Sequence, residues 1–590
     1  MDDFIFGTLA THELRLEHIR ATRAGITHNQ ARIPAQPGPD QPVTLELTVG
    51  PAHPCDRAWV YWAADGSDPE GAMGRAIHGY VVEMELVDVE WDTLLWGYVR
   101  RYRTEIPGQP NGTVLRYRIG VGCADGGEIY ADDGTFYAFY VADNPLAPWT
   151  EDAIVYQIFV DRFYPGDRRN WKIPDSLSGI YGGTLQGIRD KLDYIAELGV
   201  NVIWLTPIFP SPSHHGYDAT DFFDVEPRLG TKEDLRELLD DAHQRNIRVL
   251  LDFVPNHWSN LHQTFQEAIS DAESPYRDWY IFQHWPDEYE TFFGVRGLPK
   301  INLRYPPARQ HVLDAAAYWL DFGADGYRVD HTIGPAPDFW ADFRRVTRSS
   351  RPDCWTFGEA VDPPDVQIVF EGGMDGSLDF VLLEGLRQTF AFNRWDAGRF
   401  AEFLDRHEAY FPTTFSRPSF LDNHDMNRIL WACEGDKRRL KLAALCQFTL
   451  TGPPVIYYGT EVGLSQERDV RQGGRGYPHE SRQPMIWGDE QDQDLYDFYR
   501  QLVNLRHRHE ALRCGGRETV YADGDRLAYV RHHGTEKVLV ALNLGDENRT
   551  LNIEAEWKSL EFASDPGCEV TVDDITAQIS LPPYSGAVLT

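Results

Sequence analysis

A chain of 590 residues is too long for one hydrophobic core and calls for about three to four domains. Its hydrophobic content of 42%, with 17 Trp, 28 Tyr and 30 Phe, is that of a folded globular protein and excludes a disordered one. The net charge of −35 repels nucleic acid and anionic membrane alike and fits a neutral substrate, although a solvated acidic surface explains it equally well.

Residues 1–148 read as a β-rich N-terminal domain. Val43-Thr44-Leu45-Glu46-Leu47-Thr48-Val49 alternates with period two, as do Arg57 to Trp62 and Leu115 to Val121, between Gly/Pro/Asp turns; this pattern predicts an antiparallel β-sandwich. From Ile154 the pattern becomes strand, helix, strand. Ile154 to Val160 is an apolar run suited to a buried parallel strand. Further strands are predicted at Val200 to Leu205, Ile247 to Phe253, Tyr327, Trp355, Leu378 to Leu383, Phe420 and Val455 to Tyr458, with helices at Leu185 to Leu198 and Lys232 to Asn246. Eight strands in such alternation predict an α/β fold, a (β/α)8 TIM barrel over residues 149–512. The rhythm breaks at about 258–305, where aromatic and polar residues replace a helix, and this interval is predicted to be a lid inserted after strand three. Period-two alternation returns in 513–590 (Val538 to Asn543, Val570 to Val572) and predicts a second antiparallel β-sandwich. Seven cysteines at 55, 123, 354, 433, 446, 514 and 568 show no CxxC pair, which fits reduced thiols. No basic-then-apolar leader or membrane-length run is evident. A cytoplasmic location and no membrane partner are expected.

Four predicted strands end on polar residues. Val249-Leu250-Leu251-Asp252-Phe253-Val254-Pro255 runs to Asn256-His257, Gly326-Tyr327-Arg328-Val329 to Asp330-His331, Trp355-Thr356-Phe357-Gly358 to Glu359, and Ser419-Phe420-Leu421 to Asp422-Asn423-His424-Asp425. A lone Asp at a strand end is more often a helix cap or an ion-pair partner than a catalyst. Three acids at the C-terminal ends of barrel strands, the catalytic face of this fold, point instead to chemistry. Retaining glycoside hydrolysis needs one carboxylate as nucleophile and one protonated carboxylic acid beside it. Arg328, two residues before Asp330, faces the same way and keeps a nucleophile ionised.

These four stretches, in this order, resemble the signature regions of the α-amylase family, family 13 of the glycoside hydrolases. The resemblance implies that Asp330 is the nucleophile, Glu359 the general acid/base and Asp425 the transition-state-stabilising carboxylate. It implies that Arg328, His257, His424 and Tyr217, in His215-Gly216-Tyr217-Asp218, bind the sugar. His215 and Asp469 are further substrate-binding candidates. Leu298-Pro299-Lys300-Ile301-Asn302, with Ser211 to His215, is similar to the neopullulanase, cyclomaltodextrinase and maltogenic amylase branch. That branch implies maltooligosaccharides and cyclodextrins as substrates and a homodimer through the N-terminal domain. The chain departs from the branch after Asp330 (His331-Thr332-Ile333-Gly334) and after Glu359 (Ala360-Val361-Asp362), both on the acceptor side. A glucanotransferase acting on the same substrates is therefore the main alternative, and a non-catalytic binding relative the remote one. The chemistry requires no cofactor. The loop after the first strand resembles a calcium loop but keeps only Asp167 and Asn170, which with Asn256 are the metal candidates; calcium takes six to eight oxygens, and a tight structural site is not expected.

Overall fold

The computed structural model describes residues 12–123, 126–143, 145–166, 169–471, 479–554, 557, 559–572 and 576–590. Nine antiparallel strands between Ile26–Thr27 and Tyr137–Tyr140 form the N-terminal unit. Its strand Val43–Val49 buries every second residue, as the alternation requires. The long strand Tyr80–Asp92 pairs first with Cys55–Ala63 and then with Gly97–Ile106, carrying the sheet around a core of Leu45, Leu47, Val60, Leu115 and Ile119.

Eight parallel strands follow: β1 (Val155–Ile158), β2 (Val202–Leu205), β3 (Arg248–Phe253), β4 (Gly326–Val329), β5 (Trp355–Gly358), β6 (Gly376–Ser377), β7 (Ser419–Phe420) and β8 (Pro454–Tyr457). They pair in the order β6-β5-β4-β3-β2-β1-β8-β7. A parallel bridge from Gly376 to Ser416, just before β7, closes the barrel. All residues of β1, β2, β4 and β5 are buried, which is why these segments read as apolar runs. Gly326 opens β4 because a Cβ there would collide with the Trp355 carbonyl of β5. A capping box of Thr231 and Asp234 starts the helix Lys232–Gln244, satisfying its first amides.

Three expectations shift. The predicted sixth strand, Leu378 to Leu383, is mostly helix Phe380–Leu386, because the Asp379 carboxylate accepts from Leu382 N (2.9 Å) and caps it; a short apolar run fits either period. The predicted helix Leu185 to Leu198 breaks at Lys191 into Leu185–Asp190 and Leu192–Leu198. The first strand ends at Ile158, and Val160–Phe163 turns helical.

Between β3 and its return helix Pro306–Phe322 lies the inserted segment, with the helix Gln263–Ser270 and a ribbon of Phe282–His284 with Glu288–Tyr289. The C-terminal unit packs a five-stranded sheet against a three-stranded one. Buried ions tie the N-terminal sheet to the barrel: Arg116 donates to Asp338 (2.5 Å) and pairs with Asp342, and Arg309 donates to both (2.6 and 3.0 Å). Breaking one partner of such a cluster strands a buried charge. No helix among the described residues is long and apolar enough to cross a membrane.

Candidate active site

The register of the barrel assembles the site. Asp330 N donates to Phe253 O and Glu359 N to Val329 O, both at 2.8 Å. The ends of β3, β4 and β5 are thereby stepped so that their acids share one rim. His331 takes a left-handed backbone conformation (φ 45°), a costly turn for a non-glycine residue that swings the chain away directly after Asp330. Its N–H then donates to Glu359 Oε2 (3.3 Å). Asp330, Glu359 and Asp425 line one cavity of about 380 Å3 together with His215, Tyr217 and His257.

Arg328, fully buried, is the hub. Its Nη1 donates to Asp252 Oδ1 (2.7 Å) and Asp330 Oδ1 (2.9 Å). Its Nη2 lies 2.6 Å from Glu359 Oε1, yet neither atom is in hydrogen-bond geometry. Burial raises Asp330 and Glu359 each to about 7, with Arg328 opposing. Double displacement divides the pair, with the charge on Asp330, to which Arg328 donates, and the proton on Glu359. That is the division of labour that a nucleophile and a general acid need.

Asp425 has the opposite environment. Burial opposes its ionisation, but His424 Nε2 (3.0 Å) and Arg482 Nη2 (2.7 Å) hold its carboxyl far below the usual range. The Gln157 amide donates to His424 Nδ1 (2.9 Å), so the His424 proton sits on Nε2, within reach of the Tyr217 hydroxyl (2.7 Å) and Asp425 Oδ2 (3.0 Å). Tyr217 stacks parallel to His424 with centroids 5.3 Å apart, and its hydroxyl donates to Asp252 Oδ2 (2.9 Å). The Tyr217 amide donates to His215 Nδ1 (3.2 Å). Burial keeps His215 and His257 neutral, each lowered to about 3. His257 stacks on Phe292 of the insertion at 4.4 Å.

Arg328 and His424 are buried behind the cavity wall and act on it through the acids. Asp469 does not reach the cavity: its Oδ1 accepts from Asn427 Nδ2 (3.2 Å) and Arg471 N (2.8 Å). The sequence reading overlooked Asp252, Gln157 and Arg482. Asp252 carries a signal, a carboxylate inside the apolar run Leu250 to Val254; Gln157 and Arg482 carry none, because only the fold brings them to His424 and Asp425. On the Glu359 side, Phe292, Phe293, Val295, Leu298, Ile333 and Val361 make an apolar wall.

Of the metal candidates, Asn256 and Asn170 lie among the described residues. Asn256 Oδ1 is buried without a hydrogen-bond partner, but it is a single oxygen of the six to eight calcium takes. Among the described residues no group of three His, Cys, Asp or Glu side chains could hold a metal. Asn170 is exposed, and Asp167 lies outside the described residues.

A closed parallel barrel with a buried acid pair and a third carboxylate at its strand ends defines a glycoside hydrolase. Residues 157–515 match the α-amylase catalytic domain, and residues 527–588 the C-terminal domain of the SusG α-amylase. The chain is 39% identical over 486 residues to α-amylase 2 of Dictyoglomus thermophilum, covering 82% of this chain and 84% of that one. It is 34% identical over 510 residues to a cyclomaltodextrinase of Geobacillus thermopakistaniensis, covering 80% and 85%. A solved cyclomaltodextrinase structure superposes with a TM-score of 0.70 at 26% identity, covering 96% of this chain and 99% of that one. The chain belongs to the α-amylase family of glycoside hydrolases.

Proposed function

We propose that the protein cleaves α-1,4-glucosidic bonds of short or cyclic maltooligosaccharides by double displacement. Asp330 attacks the anomeric carbon while Glu359 protonates the leaving oxygen; a glycosyl ester forms on Asp330 as the glycosidic bond breaks. Glu359, now ionised, takes a proton from water, which displaces Asp330 with net retention. Asp425, held ionised by His424 and Arg482, opposes the positive charge on the ring, and Tyr217 forms the platform beneath it. No cofactor takes part. The observation that carries this reading is the convergence of Asp330, Glu359 and Asp425 on one cavity, with Arg328 in contact with both Asp330 and Glu359. The relatives named cyclomaltodextrinase support the substrate class. Incubation with a panel of linear, cyclic and branched α-glucans tests it: cleavage of maltooligosaccharides and cyclodextrins ahead of starch is expected, and inertness toward every α-1,4 substrate refutes it.

The apolar wall beyond Glu359 favours a second outcome, transfer to a sugar hydroxyl, because such a wall holds an acceptor's ring face better than it holds water. Longer products at high maltooligosaccharide concentration reveal transfer.

Seven cysteines with no CxxC pair in the sequence support a cytoplasmic location. A homodimer through the N-terminal domain is supported by two observations: none of the described residues of that domain lines its own chain's cavity, and Leu86, Val87, Val89, Trp91, Trp96 and Tyr98 stand exposed on the ribbon Tyr80–Asp92 with Gly97–Ile106. Exposed patches of this kind mark interfaces. Light scattering of the protein and of Trp91→Ser/Trp96→Ser distinguishes the outcomes; a monomeric parent chain refutes the dimer.

A further inference from the structure

Five of the seven cysteines fall into two groups. Cys354, Cys433 and Cys446 are buried apart from one another, and burial pushes each thiol up to about 12. Cys55 and Cys123 instead face each other in register across the antiparallel strands Cys55–Ala63 and Val114–Cys123. Their Sγ atoms lie 2.7 Å apart although 68 positions separate them in the chain.

The backbone explains the approach. Cys55 N donates to His53 O (2.9 Å) and Cys123 N to Gly127 O (2.8 Å), so neither amide is spent on the facing residue. Facing residues of this non-hydrogen-bonded kind have Cα atoms about 4.5 Å apart, within the roughly 4.4–6.8 Å that disulfides span. A register shift between Cys55 and Arg57 supplies local slack. Cys55 is fully buried, whereas Cys123 is half-buried and reachable from solvent.

We propose that Cys55 and Cys123 are a reversible thiol–disulfide pair, closed by a small-molecule disulfide such as oxidised glutathione. The Cys123 thiolate attacks one sulfur of glutathione disulfide, whose S–S bond breaks and releases one glutathione thiolate. The Cys55 thiolate then attacks Cys123 Sγ and expels the second glutathione. The protein gives up two electrons and two protons, and glutathione disulfide leaves as two thiols. The new bond cross-links strands 68 positions apart and constrains the unfolded chain. Arg100 donates to the carbonyls of Cys55 and His53, so the link also holds Gly97–Ile106 in place.

The test uses the full chain, native, incubated with oxidised glutathione, quenched in acid, denatured and alkylated. The labels on Cys55 and Cys123 are both expected to be lost, whether or not the exposed Cys514 is also capped. Peptide mapping should join Cys55 to Cys123, and dithiothreitol should restore all labels. Cys55→Ser should stop at one glutathione on Cys123, and oxidation should raise the unfolding temperature of the parent chain but not of this variant. Retention of the labels on Cys55 and Cys123 after oxidation, or a glutathione adduct persisting on Cys123 of the parent chain, overturns the proposal.

Discussion

Replacing Glu359 by Gln separates the electrostatic argument from the catalytic one. Burial raises the Glu359 carboxyl from 4.5 to about 7. A carboxyl raised in the folded state loses its proton first in the unfolded chain. Between these two values the unfolded chain binds fewer protons, so stability falls as pH rises, and the full cost is present above pH 7. At about 1.4 kcal/mol per pH unit, the gap from 4.5 to about 7 amounts to about 3 kcal/mol. Glu359→Gln carries no ionisable group there. It should equal the parent in stability at pH 4 and exceed it by about 3 kcal/mol at pH 8, a melting difference of several degrees. Its kcat should meanwhile fall by about 10²–10⁴, because an amide cannot protonate the leaving oxygen. Calorimetry and steady-state kinetics across pH read both. Parallel stability curves for the two proteins, or a gap opening on the acid side, would show that Glu359 titrates normally and would refute the assignment of the proton to it.

Asp330→Asn should lose more than about 4 kcal/mol of transition-state stabilisation, a fall of about 10³ or more in kcat, with an unchanged circular dichroism spectrum; near-normal turnover removes Asp330 from the chemistry. The first products seen by NMR should be α-anomers, and initial β-anomers contradict double displacement. Asp252→Asn should cost about 3–5 kcal/mol of stability, since it breaks a buried pair with Arg328 and gives the donors Tyr217 and Trp204 an amide to face. The charge on Asp252 also helps hold Asp330 up, so removing it lowers the Asp330 pKa and moves the acid limb of the kcat/KM profile to lower pH. An unmoved limb counts against that coupling.

What the sequence revealed depended on how far each residue's partners lie from it in the chain. Asp330, Glu359 and Asp425 were legible because each ends its own strand, so apolar run and acid share one short window. The barrel, the insertion and the two flanking sheets were legible from periods of two and of 3.6 residues. Strand six was misplaced because Leu378 to Leu383 satisfies both periods, and only the Asp379 cap decides between them. Asp469 shows the limit from the other side: an acid in a loop has no strand to aim it, and this one settles on Asn427. Cys55 and Cys123 were read as reduced thiols because their facing comes from the pairing of two strands far apart in the chain.

The site's charges explain why one arginine serves both halves of the proposed reaction. Asp252, Asp330, Glu359 and Asp425 face Arg328 and Arg482, while burial keeps His215 and His257 neutral. With the proton on Glu359, three negative groups meet two positive ones, and the pocket holds one net negative charge against a cationic ring. When the glycosyl ester forms, Asp330 becomes neutral and Glu359, having passed on its proton, becomes charged. The net charge is unchanged; it has only moved from one oxygen beside Arg328 to another. Nη1 already holds Asp330, and Nη2 already stands 2.6 Å from Glu359 without a hydrogen bond to it. The second nitrogen is placed for the carboxylate that the first step creates, so the guanidinium need not move between steps.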